Sequence, residues 1–146
     1  MKNKDKENIS IAKAFYRALS NGDQGHAQML LDPDIEWLEP ATEGLYFSGP
    51  HRGRQVVFEE VIEPTHDKIA EFEWKPKKFF AVRDKVVVLA RETGRGRITD
   101  LKLDAPTVHM WTIANGKALR FEGVHDVLKW KVALGQTSAQ PEQLAA

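Results

Sequence analysis

The chain contains no cysteine. That absence excludes disulfides, thiolate metal sites, iron–sulfur clusters and a cysteine nucleophile, and it fits a reducing compartment. Charge of one sign is also missing: 21 Lys and Arg balance 21 Asp and Glu. Without a positive field, nonspecific nucleic-acid binding is disfavoured. No stretch approaches the run of about 18 apolar residues that spans a membrane. The start, MKNKDKEN, is charged and has no apolar run behind it, unlike a secretory signal. The expectation is a cytoplasmic protein with neither nucleic acid nor membrane among its partners.

Several catalytic signatures are absent too. There is no phosphate-cradling glycine loop, because Gly94–Arg97 lies between strands and reads as a hairpin tip. No Gly-x-Ser-x-Gly elbow is present. His26, His51, His66, His109 and His125 are scattered, with no pair at helical ligand spacing, so no metal and no other cofactor is expected.

What is present is ordinary globular composition: 146 residues, 42% apolar and 29% charged. A chain of this length fits one domain and buries about 68–70% of its unfolded surface. We read residues 1–7 as a flexible start, 8–135 as the domain and 136–146 as a flexible tail. Ile11, Phe15 and Leu19 recur every four residues and predict an amphipathic helix over 8–20, ended by Asn21-Gly22. Asp23 caps a second short helix that Asp32-Pro33 stops. Residues 35–39 read as a short strand and 44–53 as a loop. A third helix runs over 54–63 and is halted by Pro64. From residue 70 the period becomes two. Strands over 70–82, 85–95, 100–113 and 117–126 are joined by turns that include Asn115-Gly116, a type I′ signature. A last helix over 127–134 ends at Gly135. Helices followed by an antiparallel meander define an α+β fold, and a curved sheet with helices on one face encloses a pocket for a small ligand.

Three polar residues stand where that pocket would be. Glu39 ends an apolar strand, where desolvation can raise a carboxyl pKa and make it an acid or base. His109 shares a face with Thr107 and Trp111 by strand alternation and could shuttle protons. Asp126 closes the last strand, either as a cavity acid or as the N-cap of the following helix. Counting inward from Asn115-Gly116 places His109 opposite Gly123 or Phe121. Arg91 and Glu92 face opposite sides, so one of them can enter the pocket. Phe15, Trp37, Tyr46 and Trp111 are expected to line it, with Tyr46 and Phe47 on a loop over its mouth.

Five segments together resemble the SnoaL-like group of the nuclear-transport-factor-2-like superfamily: AFYRALSNGD (14–23), DIEW (34–37), GPHRGR (49–54), VHMWTIANGK (108–117) and RFEGVHD (120–126). The superfamily includes ketosteroid isomerases, limonene epoxide hydrolases and polyketide cyclases. The resemblance implies a cone: a bent, mostly antiparallel sheet of mixed type wrapped round the N-terminal helices, a cystatin-like roll with an internal pocket. It also implies a homodimer through the sheet's outer face. Glu39-Pro40 falls where the isomerases carry the Asp-Pro of their proton-transfer base. Their oxyanion tyrosine aligns with Phe15, next to Tyr16, and their second oxyanion donor aligns near Val108 or His109. Asp126 matches the last-strand acid of the cyclases. The implied function is cofactor-free acid–base chemistry of isomerase, cyclase or lyase type on a small apolar carbonyl compound. The alternative is a non-catalytic ligand-binding or interaction module of the same fold.

Overall fold

The computed structural model describes residues 2–137. The tail expected from residue 136 therefore lies, from 138 onward, outside the described residues. Helix α1 (Asn3–Ser20) begins within the segment expected to be flexible, five residues before its apolar periodicity does. Residues 4–7 have no apolar face, but Lys4, Lys6 and Glu7 are helix formers and Asp5 suits the first turn, so the helix extends where periodicity is silent. It buries Asn8, Ile9, Ala12, Phe15, Tyr16 and Ala18. Helix α2 (Gln24–Met29) is capped by the Asp23 carboxylate, which accepts from the His26 amide.

Strand β1 (Leu31–Glu39) leads to β2 (Gly49–Arg52), which the sequence reading assigns to a loop. Gly-Pro resembles a turn, but β2 lies at the sheet edge, where proline's missing donor leaves no ladder bond unmade. The third helix does not stop at Pro64. Helix α3 (Arg54–Val57) widens into a π turn (Phe58–Ile62) and resumes as α4 (Glu63–Lys68), with Pro64 in the first turn of α4. A proline there lacks only a donor that a helix start leaves free.

Strands β3 (Ile69–Val82), β4 (Lys85–Gly96), β5 (Lys102–Ala114) and β6 (Lys117–His125) form the antiparallel meander, and α5 (Val127–Leu134) follows. The six strands are ordered β2-β1-β6-β5-β4-β3, and β1 lies parallel to β6. The sheet is thus mixed, curved and open. Asn115 and Gly116 both have positive φ (54° and 76°), as a type I′ turn requires. His109 pairs with Gly123.

The concave face holds an aromatic core. Phe15, Trp37, Trp111 and Phe121 are fully buried, with the Trp37 and Phe121 rings stacked 3.8 Å apart. In β3, Ile69 and Phe72 both turn inward although three residues apart. A register shift between Ala70 and Glu73, with Glu71 at φ 56°, absorbs the extra residue. Phe72 and Trp74 are thereby aimed at the space under α1 and α4.

Candidate functional site

The inner face of β6 carries Phe121, Gly123 and His125 in alternation, so His125, and not Asp126, points into the core. Its side chain is 3% exposed and bridges two strands. Nε2 lies 2.6 Å from a Glu39 oxygen, and Nδ1 lies 2.8 and 3.0 Å from the two oxygens of Glu92. Glu92 is fully buried and also accepts from the Trp74 indole at 2.9 Å and the Trp130 indole at 2.8 Å. Glu39 accepts from the Trp37 indole at 2.9 Å. Gly123 makes room for this cluster: a Cβ there would stand 2.8 Å from Glu39 Oε2 and 2.9 Å from His125 Nε2.

Both carboxylates receive hydrogen bonds only from N–H donors, the pattern of ionised acceptors. Burial alone would pull the His125 pKa down. The hydrogen bonds and charges of Glu39 and Glu92 outweigh it and push the pKa up to about 10. At neutral pH the cluster is a carboxylate–imidazolium–carboxylate unit carrying a net charge of −1.

Beside it stands a second unit. The Tyr16 hydroxyl is 2.7 Å from His109 Nδ1 and accepts from the Trp111 indole at 2.9 Å. Burial raises the Tyr16 pKa far above the phenol range, against a smaller lowering by the Trp111 bond, so its proton stays on. Burial, and then the charge of His125, hold His109 well below the usual imidazole range, so it is neutral. His109 Nε2 has no partner among the described residues. With the hydrogen on Nδ1, Nε2 is an orphaned acceptor and the Tyr16 O–H has no partner among the described residues; with it on Nε2, Tyr16 donates to Nδ1 and the Nε2–H is the orphan. In the first tautomer Tyr16 accepts from both Trp111 and His109 and its own hydrogen can be given to a ligand.

Two adjoining spaces meet these units. A small outer pocket, with a cavity volume of about 30 Å³, is lined by Tyr16, Leu19, Ile62, Thr65, Phe72 and Trp74 among others. An inner recess of about 10 Å³, room for about one water, shares Thr65, Phe72 and Trp74 with it and reaches Glu39, Glu92 and His125. Loop residue Phe47 lies over His125 and Trp130, with ring centroids 5.0 Å from each. The Tyr46 hydroxyl bonds Thr65 Oγ1 at 2.6 Å and ties that loop to α4.

The expected site residues separate accordingly. Glu39 and His109 are buried on the pocket side, and their shared neighbour is His125, whose ring centroid lies 6.3 Å from that of His109. Asp126 is half-buried and accepts from the Lys129 amide at 3.2 Å as the N-cap of α5; it lines neither space. Phe15, Trp37 and Trp111 belong to the packed core behind the pocket, where Trp37 and Trp111 act through their indole N–H groups. Tyr46 stays at the loop. Sequence reading assigned no site role to His125 or Tyr16 and left Glu92 as one of two choices. The alternation that sets His109 on the inner face, with Gly123 opposite, also selects His125 over Asp126. Of the Arg91–Glu92 pair, Glu92 enters the pocket while Arg91 bonds Asp104 at 2.8 Å outside. Among the described residues, no group of three His, Asp or Glu is arranged to hold a metal ion.

Helices followed by a mixed, curved and open sheet define the fold class. The chain belongs to the SnoaL-like domain family, whose model matches residues 12–121. Solved structures with this fold include an NTF2-like protein of unknown function from Burkholderia pseudomallei K96243 (24% identity, 88% of this chain and 97% of that one, TM-score 0.80). TerC, co-crystallized with polyporic acid, is another (24%, 88% and 98%, TM-score 0.79). A third is a putative SnoaL-like polyketide cyclase from Jannaschia sp. CCS1 (18%, 97% and 98%, TM-score 0.76). At these identities the likeness extends to the fold alone. No curated protein matches the chain.

Proposed function

We propose that the protein is a cofactor-free acid–base enzyme, of isomerase, cyclase or lyase type, acting on a small apolar carbonyl compound. The observation that carries the proposal is the buried Glu39–His125–Glu92 unit at the end of an aromatic pocket. A binding pocket needs no such cluster, and burying three ionisable groups is costly unless they are paired. Glu92, with three N–H donors, is saturated and holds His125. Glu39, with two donors, keeps lone pairs for a proton. In the reaction, Glu39 takes a proton from carbon next to the carbonyl, and the electron pair moves to the carbonyl oxygen. The Tyr16 hydroxyl, held by Trp111 and His109, donates to that oxygen. Glu39 returns the proton at a second carbon or to a departing oxygen. His109 is thus a positioning residue, and Asp126 fixes the start of α5 next to His125.

The test is proton exchange. The protein is incubated in D2O with a panel of small cyclic and aryl ketones, and loss of the α-proton signal is followed by NMR. Exchange above the buffer rate, falling about 10²–10⁴-fold in Glu39→Gln, is expected, the range typical of one positioned acid or base. Ketones that bind wild type without any exchange would overturn catalysis and leave the binding module.

The same reading includes a homodimer through the outer face of the sheet. Leu89, Val108 and Val124 are neighbours across β4, β5 and β6, and they are 38%, 37% and 59% exposed. They form an apolar row across three strands, with exposed Phe80 opposite Val87 on the same face, of the kind that marks an interface.

A further inference from the structure

The mouth of the pocket lies between α1 and the edge strand β3, and its charge is opposite to that of the interior. Lys13 and Arg17 are four residues apart on α1 and so share a face. They line an outer groove with Lys75 of β3, and the groove shares Tyr16, Ser20, Glu73 and Trp74 with the pocket. Among the described residues, Arg17 makes no side-chain hydrogen bond or ion pair. Lys13 Nζ lies 5.2 Å from the centre of the Phe79 ring and, among the described residues, meets no carboxylate. Lys75 faces Glu73 at 3.8 Å, and both are about half exposed. The groove therefore carries two uncompensated positive charges. Inside, neither Lys nor Arg lines the pocket or the recess, and the buried cluster carries −1.

This polarity orients a ligand. An anionic group driven inward meets Glu39 and Glu92 in a low-dielectric space; the same group at the mouth meets Lys13, Arg17 and Lys75. We infer that the groove between α1 and β3 seats an anionic end of the ligand, the carboxylate or phosphate of an amphiphilic carbonyl compound whose neutral end enters past Tyr16 and Trp74. The inference rests on the pocket reading above and narrows its substrate class.

The test uses straight-chain methyl ketones of several lengths, each ending in a carboxylate, a phosphate monoester or a neutral primary amide. Affinities for the full chain are measured by titration calorimetry at low salt and at about 0.5 M salt, where exposed charges are screened. Anionic ketones are expected to bind about five- to tenfold tighter than their amides at low salt, since each exposed pair adds only a little. The ratio of the two anions tells whether carboxylate or phosphate is preferred. The advantage should vanish at high salt and in the Lys13→Gln/Arg17→Gln double variant, with amide affinities unchanged. Both side chains are exposed, so the variant keeps its fold, and its melting temperature verifies this. Amides binding within twofold of the anions, or a variant that weakens amides equally, would overturn the inference and leave the pocket reading intact. If no ketone of any kind binds wild type, the pocket reading fails and the inference falls with it.

Discussion

Replacing Glu92 by Gln changes one atom and removes the charge on which the buried cluster depends. In the wild type, Glu92 accepts from Trp74, Trp130 and His125. The amide of Gln has one acceptor oxygen and one NH2 group, so one indole N–H faces another donor and is left unsatisfied. The orphaned donor costs about 1–3 kcal/mol. Breaking a buried ion pair from one side costs about 3–5 kcal/mol in all, since His125 then keeps only Glu39 as a counter-charge. For a domain of this length that is a fall in Tm of roughly 10–15 °C. The pH dependence carries a further signature. His125 has its pKa raised from 6.5 to about 10, so its contribution to stability is complete below pH 6.5 and is lost as pH rises through 10. Glu92 supplies part of that rise. The stability gap between wild type and Glu92→Gln should therefore be widest near pH 6 and narrow towards pH 10. Urea unfolding at pH 6, 8 and 10 measures both quantities, with the exposed Glu43→Gln as a control within about 0.5 kcal/mol. A variant within about 1 kcal/mol of wild type, with parallel pH curves, would refute the buried charged cluster.

Gly123→Ala places a methyl group against Glu39 and His125, in a space already 2.8–2.9 Å from their atoms. It should cost about 1–3 kcal/mol in urea unfolding and lower the His125 pKa, read from its imidazole proton shifts; an unchanged pKa would show that the pair tolerates the methyl. Arg91→Ala should alter stability by no more than about 1 kcal/mol, because its pair with Asp104 is over a third exposed on each side. The same change should raise the Asp104 pKa, which the hydrogen bond from Arg91 holds below the usual carboxyl range, as a carboxyl NMR titration would detect. Val124→Lys puts a charge on the most exposed residue of the outer apolar patch and should shift sedimentation from dimer to monomer. A wild type that already sediments as a monomer at micromolar concentration would sink the dimer.

Local chemistry, legible in the chain itself, accounts for much of the fold. Asp23 caps α2, Asn115-Gly116 makes the hairpin turn, and period-two alternation marks the meander and sets His109 opposite Gly123 or Phe121. Each depends on neighbours within a few residues or on a turn that fixes register. Glu39 at the end of an apolar strand was visible as a buried carboxyl for the same reason. Longer-range features needed the tertiary structure. Pro64 continues a helix because a π turn precedes it, and Gly49-Pro50 forms a strand because β1 offers it an edge. Tyr16 is as buried as Phe15 because α1 lies inside the cone and is covered over a wide arc, which a single apolar stripe does not reveal. The partner of Glu39 is 86 residues away, on a parallel neighbour that only the crossover brings alongside. Which of Arg91 and Glu92 turns inward is a matter of strand parity that one residue of slippage reverses. Packing decides it, because burying Glu92 or His125 costs little only where the indole N–H groups and carboxylates of other strands already converge.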